Sequence, residues 1–174
     1  MARKTGYAIK DAIVLSGVTG PNDAMATDLA AYGRVLKGTT VIDTSEGTET
    51  DIRDEFDVIV YSDMEAGKTT LTYSVLIGSL EILKKIYGGD IDTTETDIRQ
   101  LKGLKQGFSK VLNEYQSVDV SWRAGVGLKV PKTKTSATFV TTTAEGILVK
   151  MKHVFVAPDD MEADMVIPYE PKDA

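Results

Sequence analysis

The chain has 174 residues, 42% of them hydrophobic and 26% charged, with a formal net charge of −6. That length suits one domain with a sizeable core, and no apolar run approaches the roughly 20 residues of a membrane-spanning helix. With no cysteine and one histidine, His153, the chain cannot form disulfides, thiolate nucleophiles, zinc–thiolate sites or a two-histidine metal site. The expected setting is a reducing cytoplasm: the basic start Met1–Gly6 is not followed by the apolar stretch of a secretory signal.

Ala12-Ile13-Val14-Leu15 marks a first strand within Tyr7–Ser16. Gly17–Asp23 is a cluster of turn residues, and the alanines of Ala24–Tyr32 predict one short helical turn. Gly33–Asp43 reads as strand with an interruption at Gly38. Thr44–Asp57 is polar, acidic and rich in Thr, which predicts a long exposed loop; such a loop in a compact domain is usually functional or mobile. Val58–Tyr61 is a third short strand and Met64–Lys68 a turn.

Thr69–Gly89 carries the clearest signal. Leu71, Tyr73, Val75 and Ile77 fall on one face, and Thr70, Thr72 and Ser74 on the other, the period of a half-buried strand. Gly78 breaks it and Ser79 can cap a helix. Leu80, Leu83 and Ile86, with Tyr87, then recur at helical spacing and give the helix its packing face. Glu81 lies near its positive end, Lys84 and Lys85 near its negative end, and Gly88-Gly89 stop it.

Asp90–Glu95 reads as a polar linker. In Thr96–Tyr115, Ile98, Leu101, Leu104, Phe108, Val111 and Tyr115 recur at helical spacing. Gly103 and Gly107 weaken that pattern by about 1 kcal/mol each relative to Ala, so a partly helical segment is predicted. Beyond it the chain reads as β. Val118, Val120 and Trp122 alternate with polar residues, and Ala124-Gly125 turns into Val126–Val130. Pro131 interrupts that strand or marks an edge. Ser136–Thr143 is a Thr-rich strand, one candidate for pairing with a neighbouring copy, and Ala144–Gly146 is another turn. In the final strand, Ile147–Val156, the residues Ile147, Val149 and Met151 face one way and Lys150 and Lys152 the other. A change of apolar phase at His153–Val156 predicts a bulge. Asp159–Ala174 is an acidic tail.

Charge is distributed unevenly. Asp43–Glu65 holds nine carboxylates and one arginine, and Gln100–Lys152 holds nine basic and three acidic residues. Two readings stand: solvated faces that keep the protein soluble, or an acidic and a basic patch that pair copies head to tail into rings or filaments. On the second reading Glu49, Asp51, Asp54, Glu55 and Asp57 form the acidic contact. Lys129, Lys132, Lys134, Lys150 and Lys152 form the basic docking surface.

No motif carries chemistry. Gly67-Lys68-Thr69 lacks the earlier glycine of a phosphate-binding loop, Ser62 standing there, and a strand follows instead of a helix, so it reads as a turn. Glu49, Asp51 and Asp54 lack the spacing and central glycine of a helix–loop–helix calcium site. Nothing local builds a triad around His153, which reads as a structural or surface residue. Trp122, on the apolar face of its strand, reads as core. An acidic chain without aromatics interleaved in its basic region does not suit sequence readout of nucleic acid. The expectation is a non-enzyme without metal or cofactor.

The order of parts does suggest a family. A short strand is followed by one ending near Lys37-Gly38-Thr39-Thr40, then the acidic stretch through Glu49-Thr50-Asp51, then the strand Thr69–Ile77. The helix Leu80–Tyr87 closed by Gly88-Gly89 comes next, and a β-rich half ends in Val154-Phe155-Val156-Ala157-Pro158. This order resembles that of the major tail tube proteins of long-tailed bacteriophages. The resemblance implies a mainly β (α+β) fold, a β-sandwich or split barrel with one flanking helix, and a single domain over residues 1–174. It further implies a structural virion protein, assembled in the bacterial cytoplasm, whose six-membered rings stack into a tail tube. The partners implied are other copies of the chain, a tape-measure protein, a tail terminator, baseplate or initiator proteins, and double-stranded DNA passing through the lumen. By position, the loop that reaches the neighbouring ring is about 44–65. The inner-tube protein of a contractile injection system is an alternative of the same class. A β-sandwich carbohydrate- or surface-binding module is another, for which 7% aromatic residues is a poor endowment.

Overall fold

The structure, a computed structural model, describes residues 12–65, 67–94, 98–104, 107, 109–122, 125–144, 146–160 and 162–170. In chain order the strands are β1 (Ala12–Val18), β2 (Arg34–Val35), β3 (Val41–Thr44), β4 (Thr48–Arg53), β5 (Ile59–Glu65) and β6 (Thr69–Ile77). After the helix α1 (Leu80–Tyr87) follow β7 (Asp90–Asp92), β8 (Gln100–Lys102), β9 (Ser109–Val111), β10 (Gln116–Trp122), β11 (Gly127–Thr143), β12 (Gly146–Phe155) and β13 (Ile167–Tyr169). Among the described residues the fold is mainly β with a single α-helix, the class expected from the sequence.

One antiparallel sheet runs β1-β10-β11-β12-β6-β2, with β3 also on β6, and β9 and β13 also on β11. The alternation read in Thr69–Ile77 sets its core. Leu71, Tyr73, Val75 and Ile77 are all buried, and in register with them on β12 are His153, Met151, Val149 and Ile147. Val118, Val120, Val130 and Ala137 continue the same apolar layer. Full burial of such side chains stabilises by about 1.5–3 kcal/mol each.

The helix α1 closes one side of this layer. Its Leu83, Ile86 and Tyr87 are buried and Leu80 is half-buried, at the spacing the sequence predicts. Ser79 Oγ accepts from the Glu81 amide. Gly88, at φ +80°, ends the helix by donating its N–H to the Lys84 carbonyl, 2.8 Å away.

Several local expectations change. Ala24–Tyr32 forms no helix; a 3-10 turn precedes it at Pro21–Asp23. Tertiary bonds take the backbone groups instead: the Ala26 amide donates to Ser117 Oγ, and Ala30 bridges Ser16 of β1. The predicted loop at Thr44–Asp57 contains β4, which pairs with β5 in a separate two-stranded hairpin from Thr48↔Glu65 to Arg53↔Ile59. Alternating Thr and Ile suit an extended chain, and Asp54 supplies the turn: its Oδ1 accepts from the Phe56 and Val58 amides.

The expected linker at Asp90–Glu95 holds β7, paired with β8. The described part of Thr96–Tyr115 forms β8 and β9 and no helix. Gly103 and Gly107, at φ +88° and +65°, break the helical period there; Phe108 lies outside the described residues.

Pro131 sits inside β11 rather than at its end. The register with β10 slips between Gln116 and Val118 at that point, so no ladder bond is asked of the missing N–H. The predicted bulge at His153–Val156 is absent. His153↔Leu71 and Val154↔Thr70 keep the register, and His153 occupies an inward position that an apolar residue would otherwise fill. Asp159–Ala174 is partly built into the sheet, with Ile167–Tyr169 paired to Lys129–Gly127. The first strand's residues before Ala12 lie outside the described residues.

Candidate functional site

The β4–β5 hairpin forms an arm with its own two-stranded sheet. At its root, the Ser45 amide donates to the Lys68 carbonyl and the Lys68 amide to Ser45 Oγ, with Thr44 and Thr69 hydroxyls 3.0 Å apart. Every residue from Thr48 to Asp63 is exposed. The register places Glu49, Asp51 and Arg53 on one face of the ribbon, and Thr50, Ile52, Tyr61 and Asp63 on the other.

Internal pairing satisfies little of its charge. Arg53 stands 3.8 Å from Asp51 and 3.3 Å from Asp57, and Glu49 accepts only a 3.5 Å bond from Ser62. The tip is apolar as well as acidic. Phe56 is 78% exposed, and Ile52, Val58, Ile59, Val60 and Tyr61 are each about half exposed or more. A lone two-stranded hairpin is marginal in water, and a contiguous exposed apolar patch marks a contact surface. The run Val58–Tyr61 was legible as a strand; that it stays uncovered was not.

The predicted basic surface divides. Lys134, Lys150 and Lys152 share the outward face of β11 and β12. Lys150 lies in register between Thr138 and Ser74, and Lys152 between Ser136 and Thr72. Among the described residues none of the three makes an ion pair or side-chain hydrogen bond.

Lys132 does not belong to that surface. It is 4% exposed, with Nζ 3.0 Å from Asp23 Oδ2 and 2.8 Å from Asp159 Oδ1, over the Tyr115 ring at 4.8 Å. Its hydrogen bonds to Asp159 and Asp23 hold its pKa above the ordinary lysine range. The cause is the register slip at Pro131, which leaves four successive residues of β11, Val130–Thr133, buried. Lys129 is half-buried with Nζ 5.0 Å over the Tyr169 ring. Sequence alternation alone gives no sign of either.

His153 is fully buried. Its Nε2 lies 3.2 Å from the Tyr73 hydroxyl, and its Nδ1 2.8 Å and 3.2 Å from the hydroxyls of Thr135 and Thr133. Desolvation pushes its pKa down to about 3, so it is neutral in the folded chain. Trp122, read as core, is half-buried. Lys68 precedes β6, with its amide held by Ser45. No helix among the described residues is long and apolar enough to cross a membrane. A cleft of about 270 Å³ beside α1 has one aromatic in its lining, Tyr32, which is 4% exposed.

No protein-family profile matches this chain, and no curated protein matches it in sequence. Among solved structures it is similar to the sheath/tube terminator of PVC, an extracellular contractile injection system, seen by cryo-electron microscopy in its extended state. Identity is 13%, the alignment covers 95% of this chain and 99% of that one, and the TM-score is 0.36. A likeness of that degree carries no argument about function.

Proposed function

We propose that this chain is a structural, non-catalytic subunit of a phage-tail-like tube, built of rings of six copies that stack around a channel for DNA. The observation that carries the reading is the arm: a hairpin exposed from Thr48 to Asp63, carrying Glu49, Asp51 and Arg53 on one face and apolar side chains at its tip, with nothing among the described residues covering it. A monomer gains nothing from such an element, whereas an assembling subunit uses it to reach a neighbour. The arm occupies the position that the tail-tube resemblance assigns to the contact between rings. The unpaired lysines on the outward sheet face give a second copy something of opposite sign to meet.

Negative-stain electron microscopy at rising protein concentration, with light scattering, tests the reading. Rings or striated tubes of uniform width are the expected result. Protein that forms neither rings nor tubes would overturn it. Reversing the charges of Asp51, Asp54, Glu55 and Asp57 should abolish the tubes while the circular dichroism spectrum stays unchanged; normal tubes from that variant would show that the acidic arm is not the contact.

A further inference from the structure

We infer that the acidic face of the arm docks on the outward lysines of a second copy, with Glu49 and Asp51 standing opposite Lys150 and Lys152. The inference rests on the reading of the arm as a contact between copies, and names its receptor.

The two sets of charges are commensurate. Glu49 and Asp51 are two residues apart on one face of β4, and Lys150 and Lys152 two residues apart on one face of β12. On extended strands that spacing is about 6.6 Å. A ribbon laid along β12 therefore brings both pairs together without bending either strand. The lysines are also unspent, and the carboxylates are only weakly paired. The two lysines have only the neutral Ser74, Thr72, Ser136 and Thr138 beside them in register. The two carboxylates have a 3.5 Å hydroxyl and a 3.8 Å guanidinium as their polar neighbours. Within one chain the two sets do not meet.

The partner is a second copy rather than a nucleic acid. The chain carries a net charge of −6, and its most exposed element is its most acidic, so the long-range field repels a polyanion while offering the lysines a carboxylate ligand. Two exposed pairs contribute little affinity alone. They set which residues face each other, while Phe56 and Val58 at the tip supply apolar area. Repetition around a ring then multiplies a weak contact.

A charge swap on the full chain tests this, read by sedimentation velocity over a concentration series and by electron microscopy. Glu49→Lys with Asp51→Lys should weaken self-association by about tenfold or more, and Lys150→Glu with Lys152→Glu should do the same. All four substitutions together should restore association to near the wild-type level. Raising salt to about 0.5 M should weaken the wild type and the fourfold variant alike. A fourfold variant no better than either double variant overturns the inference, as does a Glu49/Asp51 variant that associates like wild type, or a wild type that does not associate. Replacing residues 48–65 by a Gly-Ser linker separates the two levels. If that variant still assembles, the arm is not the contact between copies, and the reading of the arm fails together with the named receptor. If it fails to assemble while the swap does not rescue, only the named receptor is wrong.

Discussion

Tyr73 and His153 stack in the core with ring centroids 5.6 Å apart and planes 7° from parallel, and the Tyr73 hydroxyl lies 3.2 Å from Nε2. The surrounding hydroxyls fix who donates. Thr133 spends its one hydroxyl proton on the Gln116 carbonyl, 2.7 Å away, so toward Nδ1 it can only accept. The tautomer that satisfies all three contacts carries its hydrogen on Nδ1, facing Thr135 and Thr133, and accepts at Nε2 from the Tyr73 hydroxyl. Desolvation raises the Tyr73 pKa far above its usual value and keeps that proton in place. A neutral imidazole satisfies the site; an imidazolium brings a charge that no carboxylate there balances.

Stability should therefore fall with acid earlier than the carboxylates alone dictate. The unfolded chain protonates His153 near 6.5, and the folded chain only near 3. Stability from this residue is complete above pH 6.5 and is lost as pH falls toward 3, at about 1.4 kcal/mol per pH unit. Urea unfolding between pH 7.5 and 5 should show this slope, since few carboxylates titrate there. His153→Asn should flatten it; an unchanged slope would show that His153 is not its source.

Tyr73→Phe should destabilise by about 1–3 kcal/mol, because it removes the donor to a buried Nε2 and leaves that acceptor unpaired. Chemical denaturation at pH 7.5 measures it. A loss near zero would mean that water or a flipped ring satisfies the imidazole.

Ser79→Ala should cost about 1 kcal/mol through loss of the helix cap. The same hydroxyl donates to Glu81 Oε2 at 2.5 Å and, with the backbone and Arg99, holds the Glu81 pKa down to about 2. Glu81 adds stability above its ordinary 4.5 that is lost as pH falls toward 2. Its pKa, followed by NMR, should rise in the Ser79→Ala variant.

Lys132→Met should loosen the segment after β12. Lys132 Nζ donates to Asp23 Oδ2 and Asp159 Oδ1, and the Asp159 amide donates to Asp23 Oδ2, so the lysine side chain ties three parts of the chain together. Hydrogen exchange at Val156 and Asp159 should accelerate while that of Val149 and Met151 stays slow. Uniform acceleration would indicate global destabilisation instead.

Gly146→Ala should destabilise by about 1–3 kcal/mol. Gly146 sits at φ +152°, and an added Cβ would fall 2.5 Å from the Ile77 carbonyl oxygen. Thermal unfolding checks it; an unchanged midpoint would mean that the β11–β12 turn relaxes freely.

The periodicity of Thr69–Tyr87 was enough to place β6, α1 and their buried faces, because a strand's period of two and a helix's capped 3.6 are local properties of the chain. Val118, Val120, Val149 and Met151 were legible for the same reason. Tertiary structure decided what depends on distant partners. Ala24–Tyr32 lost its helix because Ser117 and Ser16 claim its backbone. Lys132 left the surface because a register slip at Pro131 turned it inward, and His153 kept an inward place because Tyr73, Thr133 and Thr135 surround it with hydroxyls. The acidic charge of residues 44–65 was written in the sequence. That this stretch is a hairpin arm with its apolar tip uncovered depended on the other described residues providing nothing to cover it.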